Sequence, residues 1–284
     1  VRSGMRTGKI SESILKRSVL GKIRTQRKEV QKGAGVGEDC AFLAWEDGSG
    51  SITALSTQTI ALPVGGGTRY GIMAAANNLA ASGAVCFAVT LSLTLPQGAE
   101  EALLKELMEQ AEECCRELNI QIAGGHTEVS AAVKWPVVTA TAIGRLVKRD
   151  VNYEKHGDIV MSKWIGLEGT AILAREKEEE LLGRFPARFL RAAREQARYL
   201  SVEREAAIAL KSSVYAMHDV RNGGVFGALW EVSQKLGVGL SIDLKKIPVK
   251  QETIEICEFF NLSPYEILSG GALLMVTPEG SGLV

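Results

Sequence analysis

The sequence MHDVRNGGVFG, residues 217–227, joins a short apolar strand, an acidic side chain and a glycine pair that opens a helix. A helix N-terminus preceded by glycines exposes backbone N–H groups that bind anions. Asp219, at the end of the strand, could share a metal ion with a second carboxylate such as Asp39. The segment therefore predicts a strand–turn–helix unit at an anion site.

The elements around this unit mix strands and helices without a strict βαβ rhythm. Residues 87–95 alternate large apolar side chains with small or hydroxylated ones, which is typical of a strand buried on one face. Residues 99–118 carry apolar side chains at helical spacing. In the second half, we predict strands at residues 159–162, 214–217, 240–243 and 272–276 among several helices. The pattern favours an α+β fold.

The length of 284 residues and the hydrophobic content of 46% allow two domains, each with a core. Residues 148–157 are polar and are the predicted linker. We therefore expect an N-terminal domain at residues 1–148 and a C-terminal domain at residues 149–284.

Composition argues against several classes of partner. Lysine plus arginine equals aspartate plus glutamate at 33 each, so no overall field favours nucleic acid or an anionic membrane. No apolar run reaches the ~18 residues of a spanning helix, and a cytoplasmic location is expected. The five cysteines form no C-x-x-C pair and are predicted to be reduced and buried.

Three further segments place glycine and polar residues where ligands commonly bind. Residues 35–41 combine Gly35 and Gly37 with Asp39, residues 77–84 begin with two asparagines, and residues 124–127 form a predicted turn, Gly-Gly-His-Thr, after a strand. Each has an ordinary alternative: a plain turn, helical polar contacts, or a surface histidine. None matches the G-x-x-x-x-G-K-[ST] or G-x-G-x-x-G phosphate loops.

Together and in this order, the segments resemble the AIR synthase-related (PurM-like) superfamily. Residues 35–41 are similar to its G-x-G-D-D-A segment, residues 77–84 to N-D-L-A-A-x-G-A, and residues 217–224 to M-H-D-V-T-E-G-G. Residues 56–58 and 124–127 are similar to its S-T-D and G-G-[DEH]-T segments. The second half is most similar to the hydrogenase-maturation branch of the superfamily.

The resemblance implies two α+β domains, of which the N-terminal one forms a β-barrel across a homodimer and the C-terminal one is an α/β sandwich. It also implies that ATP and Mg²⁺ bind in a cleft between the two domains. The implied reaction is phosphoryl transfer to an amide-like oxygen of a small-molecule or carbamoyl-type acceptor. Other maturation proteins are further implied partners.

The resemblance assigns roles to individual residues. The implied catalytic residues are Asp39, His126 and Asp219, and the implied metal ligands are Asp39 and Asp219. The implied nucleotide-binding residues are Gly35, Gly37, Thr57, Asn78, Gly124, Gly125, Thr127, Arg221, Asn222, Gly223 and Gly224.

Three positions depart from the family pattern by lacking a carboxylate: Gln58, Asn78 and Asn222. Two carboxylates and substrate phosphates can still hold one Mg²⁺. The alternative hypothesis is a degenerate homologue that binds nucleotide or acts as a scaffold. A kinase acting on a small alcohol is a third possibility.

Overall fold

A six-stranded sheet forms the centre of the N-terminal half in this computed structural model, which describes residues 10–45, 50–147 and 156–280. The sheet order is β1-β2-β3-β6-β4-β5, and only the β4–β5 pair is parallel. The strands are β1 (Val30–Lys32), β2 (Ala41–Ala44), β3 (Ile52–Ile60), β4 (Ala84–Pro96), β5 (Gln121–Ser130) and β6 (Val137–Leu146). Because parallel strands need a crossover, β4 is followed by a helix before the chain returns as β5.

The helices of this half are α1 (Glu12–Ile14), α2 (Gly67–Ala81) and α3 (Glu101–Leu118). The apolar spacing of residues 10–23 predicts one amphipathic helix. It forms but is irregular, because a π-helical turn at Leu15–Val19 and a 3₁₀ turn at Leu20–Lys22 extend α1.

A three-stranded antiparallel sheet, in the order β7-β9-β8, forms the centre of the C-terminal half. Its strands are β7 (Asp158–Met161), β8 (Ala216–Val220) and β9 (Ala272–Thr277). The helices are α4 (Leu167–Glu176), α5 (Glu178–Leu182), α6 (Ala187–Arg194), α7 (Glu203–Ala209), α8 (Gly224–Leu236) and α9 (Gln251–Phe259). The mixture of two sheets and covering helices confirms the predicted α+β class.

Helix α2 is buried on nearly all sides because it lies between the two halves. One side packs on the first sheet, where Ile72 and Leu79 join a core with residues of β4 and β6. The other side meets the second half, where Ala80 and Ala81 pack with Met217. Small side chains let both sheets approach the same helix, which explains its alanine content.

Strand β5 corrects the prediction for residues 124–127, which lie inside a strand and not in a turn. Consecutive glycines are typical of turns, but here they permit close pairing of two strands. A Cβ atom on Gly125 would lie 1.8 Å from the carbonyl oxygen of Leu91 on β4. The glycine is therefore required by the approach of a neighbouring backbone.

Two other predictions differ from the structure. Residues 240–243 form no strand, because the carboxylate of Asp243 accepts a hydrogen bond from the Lys245 backbone N–H (3.1 Å) and starts a 3₁₀ turn. The basic composition of residues 24–32 predicts a flexible stretch, but its end forms strand β1, which pairs with β2. The proposed boundary at residue 148 and most of the predicted linker lie outside the described residues, so the boundary stays a prediction.

All five cysteines are buried and free, as predicted. Across residues 10–45, 50–147 and 156–280, no helix has both the length and the apolar character needed to span a bilayer.

Candidate functional site

A cavity of about 620 Å³ opens between the two halves of the chain. Its walls combine the loop before β2, one end of α1, the middle of β3, and the start of α8. The lining side chains and backbone belong to Ile10, Glu12, Leu15, Gly35, Val36, Gly37, Glu38, Asp39, Thr57, Gln58, Asn78, Asn222, Gly223, Gly227, Trp230 and Glu231. Its volume lies in the range of small-molecule and cofactor sites.

At the base of this cavity, Asp39, His218 and Asp219 bring one potential metal-ligand atom each to within 4.8 Å of the others. Nδ1 of His218 lies 2.8 Å from Oδ2 of Asp39. The other ring nitrogen, Nε2, lies 3.0 Å from Oε2 of Glu231 on α8. The imidazole is 4% exposed, so it connects two carboxylates almost without access to water.

Burial and mutual charge shift the proton affinities in this cluster. Burial by itself lowers the pKa of His218, but the carboxylates of Asp39, Glu231 and Asp219 outweigh it and raise that pKa to about 10. Burial and the negative charge of Asp39 raise the pKa of Asp219 to about 7, although His218 and Arg221 act in the opposite direction. Two carboxylates in a buried site with one imidazolium therefore leave negative charge that a cation would stabilise.

The side-chain amide of Asn78 extends the cluster toward β3. The hydrogen-bond network is satisfied when its nitrogen faces Asp219, donating to Oδ1 at 2.8 Å. In that orientation its oxygen accepts from Ser56 Oγ and Gln58 Nε2, both at 2.8 Å. The amide thus links α2 and β3 of the first half to the carboxylate at the end of β8.

The turn between β8 and α8 has the backbone that its sequence predicts. Gly223 and Gly224 have φ values of +81° and +61°, a conformation that other residues rarely adopt. A Cβ on Gly224 would also lie 2.1 Å from the carbonyl oxygen of Tyr265. The glycine pair therefore allows α8 to begin at the cavity. The N–H of Gly224 donates to the carbonyl of Arg221 (3.1 Å), so the anion donors of this turn are the N–H groups that follow it.

The side chain of Arg221 forms a buried ion pair. Its guanidinium donates to Glu168 at the start of α4, from Nε to Oε2 at 3.0 Å and from the second nitrogen to Oε1 at 2.7 Å. Both side chains are buried, at 9% and 3% exposure. This bidentate pair holds the guanidinium beside Glu168. Arg221 does not line the cavity, and its implied role in nucleotide binding stays a prediction.

The residues of β5 do not line the cavity of the described chain. Gly124, Gly125, His126 and Thr127 lie on an exposed strand, and the imidazole of His126 is 68% exposed beside Glu128 (Nε2–Oε2, 3.5 Å). Their predicted catalytic and nucleotide-binding roles stay predictions.

The structure therefore gathers seven of the predicted residues at the cavity: Gly35, Gly37, Asp39, Thr57, Asn78, Asn222 and Gly223. Asp219 lies beneath them in the cluster with Asp39. Sequence reasoning missed His218 and Glu231. The available signal was the position of His218 next to Asp219, but alternation along a strand predicts that neighbouring side chains face opposite sides.

The donors at the site fit a triphosphate with one divalent cation. Mg²⁺ is held in proteins by one or two carboxylates together with substrate phosphates and water. Asp39 reaches the cavity wall, and Asp219 lies within 4.8 Å of it. The backbone at Gly35–Gly37 and at the start of α8 adds donors for phosphate oxygens.

The fold and the site define a two-domain α+β protein with an acidic cleft between its halves. Residues 37–146 match the N-terminal domain of the AIR synthase related proteins, and residues 154–281 match their C-terminal domain. The chain belongs to the AIR synthase-related family.

Curated relatives lie in the hydrogenase-maturation branch and beyond it. A putative hydrogenase expression/formation protein of Methanocaldococcus jannaschii is 28% identical over 79% of this chain and 66% of its own length. The carbamoyl dehydratase HypE of Rhodobacter capsulatus is 24% identical over 78% of this chain and 64% of its own length. A thiamine-monophosphate kinase of Pyrococcus horikoshii is 28% identical over 63% of this chain and 55% of its own length. The chain therefore spans about two thirds, or less, of these relatives.

Solved structures share the fold over most of the chain. A HypE–HypF complex superposes with a TM-score of 0.73 at 20% identity, covering 93% of this chain and 84% of the other. HypE in complex with ATP gives 0.69 at 17% identity, covering 98% and 82%. These similarities confirm the predicted PurM-like architecture.

Proposed function

We propose that the chain is an ATP-dependent enzyme that phosphorylates the amide oxygen of a carbamoyl-type acceptor and thereby dehydrates it. The main support is the meeting of Asp39 and Asp219 beside a cavity with the start of α8 in its wall. Relatives named carbamoyl dehydratase, and a similar structure that contains ATP, support the choice of nucleotide and reaction.

The proposed reaction solves a leaving-group problem. The oxygen of a carboxamide departs poorly, but after transfer of the γ-phosphoryl group it departs as phosphate. Loss of that phosphate and of the two N–H protons leaves a nitrile, and ADP and phosphate are the other products. Catalysis of such a transfer depends mainly on positioning and on neutralising charge.

Each part of the site would have a role in this reaction. Backbone N–H groups at Gly35–Gly37 and at the start of α8 would hold phosphate oxygens. Asp39 and Asp219 would hold Mg²⁺, which supplies charge neutralisation for the transferred phosphoryl group. Trp230, 39% exposed in the cavity wall, offers an apolar surface for a base or an acceptor.

The acceptor would be presented by another molecule or segment that carries a carbamoyl group. A HypE–HypF complex among the similar structures supports a maturation protein as a partner. A cytoplasmic location fits such an assembly.

We also propose that the chain works as a homodimer joined near β5. Strand β5 is exposed along almost its whole length, and it pairs with β4 on one side only within the described residues. Nearby side chains are unusually exposed for their apolar character, with Val85 at 57%, Phe87 at 54% and Val129 at 61%. An exposed edge next to apolar surface is a common dimerisation site. Such a dimer would bring His126 toward a second copy.

The dimer is tested by light scattering coupled to size-exclusion chromatography. The wild type should elute with twice the mass of one chain, and Val129→Lys should shift it toward the monomer. Arg184→Lys, far along the sequence in the second half, serves as the control. A monomeric wild type at the highest usable concentration would rule out the dimer.

The reaction is tested with purified full chain, MgATP and a peptide bearing an S-carbamoylated cysteine. Mass spectrometry should show loss of one water from the peptide, matched by equal amounts of ADP and phosphate. Asp219→Asn should remove turnover, since an amide cannot replace the carboxylate at the cation. AMP as the product, or an unchanged peptide together with ATP binding, would reject the proposed chemistry.

The alternative is a nucleotide-binding or scaffold protein. Its motivation is that Gln58, Asn78 and Asn222 stand where the family pattern has carboxylates. It predicts ATP binding by calorimetry without any turnover above that of Asp219→Asn. Turnover that requires Asp219 would exclude it.

A further inference from the structure

Gln58 lines the cavity where the family pattern has an aspartate, and the proposed reaction gives it no role. Its Nε2 lies 2.8 Å from the side-chain oxygen of Asn78, in the orientation that turns the amide nitrogen of Asn78 toward Asp219. That nitrogen lies 2.8 Å from Oδ1 and 3.2 Å from Oδ2 of Asp219. The three side chains therefore form one directed chain of hydrogen bonds, from β3 through α2 to the end of β8.

The orientation of the Asn78 amide depends on whether each neighbour donates or accepts. The Oγ of Ser56, 2.8 Å from the oxygen of that amide, can do both, so its hydroxyl fits either orientation. The Nε2 group of Gln58 only donates, and an ionised Asp219 only accepts. Gln58 therefore favours the orientation in which Asn78 presents its nitrogen, and not its oxygen, to the carboxylate.

Burial makes this orientation costly to reverse. Asn78, Ser56 and Asp219 are 5%, 4% and 6% exposed, so little water can replace a missing partner. If position 58 carried an acceptor, the amide of Asn78 would lie between two acceptors and could serve only one of them fully. The other would be left buried with a weakened hydrogen bond.

We propose that Gln58 is a positioning residue, which fixes the amide of Asn78 and through it holds the carboxylate of Asp219 in place. Gln58 then acts at one remove from the reacting groups, although it lines the same cavity. The effect on turnover rests on the proposed function, whereas the chain of hydrogen bonds can be tested without nucleotide.

The chain of hydrogen bonds is tested by urea unfolding of the nucleotide-free full chain. The four proteins are the wild type, Gln58→Met, Asn78→Ala and the double variant. Because Gln58 acts through Asn78, Gln58→Met should lower the unfolding midpoint of the wild type and leave that of Asn78→Ala unchanged. Thr59→Val, on the same strand, loses a hydroxyl contact with Thr139 (Oγ1–Oγ1, 3.0 Å) and should lower the midpoint equally in both backgrounds.

The consequence for turnover is measured at pH 8 with saturating MgATP and the S-carbamoylated peptide. Gln58→Met keeps the length of the side chain without its donor, and should lower kcat about fivefold to tenfold, as loss of one neutral hydrogen bond does. Gln58→Glu supplies an acceptor instead, and should lower kcat about 10-fold to 100-fold. Gln58→Lys keeps a donor and should retain more activity than Gln58→Met, although its shape differs more.

The double variant also separates an indirect role from direct contact with the nucleotide. In the Asn78→Ala background, Gln58→Met should cause no further loss of kcat. If Asn78→Ala does not fold, the order of Gln58→Lys, Gln58→Met and Gln58→Glu in midpoint and in kcat decides the outcome.

Equal losses from Gln58→Met in the two backgrounds, or a Gln58→Glu variant that behaves as Gln58→Met, would overturn the proposal. A wild type that shows no turnover rejects the proposed function alone, and the unfolding midpoints then decide the role of Gln58. Turnover that requires Asp219 but is unaffected by the variants of Gln58 rejects this inference alone.

Discussion

Breaking the ion pair between Arg221 and Glu168 is expected to destabilise the protein by about 3–5 kcal/mol. The pair is buried, at 9% and 3% side-chain exposure, and makes two hydrogen bonds of 3.0 and 2.7 Å. Removing either partner leaves a charge that the surroundings cannot solvate. The loss should therefore be far larger than that of a surface pair.

The magnitude depends on the uncompensated charge and not on the contact alone. Replacing both partners with apolar side chains removes both desolvation penalties, and such exchanges are often neutral or stabilising by 1–4 kcal/mol in other proteins, so a net change within about 2 kcal/mol is expected here. Arg221→Met and Glu168→Met should each be strongly destabilising, whereas the double variant should approach the wild type.

Guanidinium unfolding of the four proteins gives the double-mutant cycle. The coupling energy should be at least about 4 kcal/mol, because two single losses of about 3 kcal/mol or more stand against a double-variant change of at most about 2 kcal/mol. Glu101→Ala provides the control, because its pair with Lys105 is exposed at 77% and 67% and should contribute only about 0.3–0.5 kcal/mol. Single variants of the buried pair that lose no more than this control would refute the reasoning.

Two further predictions concern packing and pH. Gly125→Ala should lose at least about 3 kcal/mol or fail to fold, since its Cβ would meet Leu91 at 1.8 Å, whereas Gly239→Ala has open space and should unfold at the wild-type midpoint. Burial raises the pKa of the Cys40 and Cys114 thiols from 9.0 to about 12. As pH rises, the thiols of the unfolded chain therefore lose their protons before those of the folded chain. Their contribution to the free energy of unfolding is complete below pH 9 and falls as pH rises toward 12. Urea unfolding should show that the free energy of unfolding falls less between pH 8 and pH 10.5 for Cys114→Ala than for the wild type. Equal decreases in the two proteins would contradict the assignment.

Sequence periodicity predicted most of the elements because their burial is one-sided. Strand β4 and helix α3 show regular alternation and helical spacing, and both lie where predicted, with longer ends for the strand. The sequence predicts a strand only at residues 121–123, and the rest of β5 was missed, since two glycines and a polar run carry no apolar alternation. Its strand conformation is set by pairing with β4, a contact that local sequence does not encode.

The same limit applies to the site. The glycine-rich turns and Asp39 and Asp219 were predicted from their residue types, and the structure brings these two carboxylates together. The partners of Arg221 and His218 were not predicted, because Glu168 and Asp39 are distant in sequence from them. Pairing of buried charges is a property of the packed fold, and one sequence without relatives gives no signal for it.

The carboxylates that this chain lacks alter the charge of the cluster without removing its need for a cation. Asn78 replaces a family aspartate, and its amide donates to Asp219 at 2.8 Å, where a second carboxylate would repel it. Three carboxylates nevertheless remain around the imidazole of His218: Asp39, Asp219 and Glu231. One imidazolium cannot balance three carboxylates, and burial together with the negative charge of Asp39 raises the pKa of Asp219 to about 7. A single bound cation would restore the balance, whereas a second cation would lack ligands among these residues. The substitutions therefore fit a site that has been reduced to one metal ion.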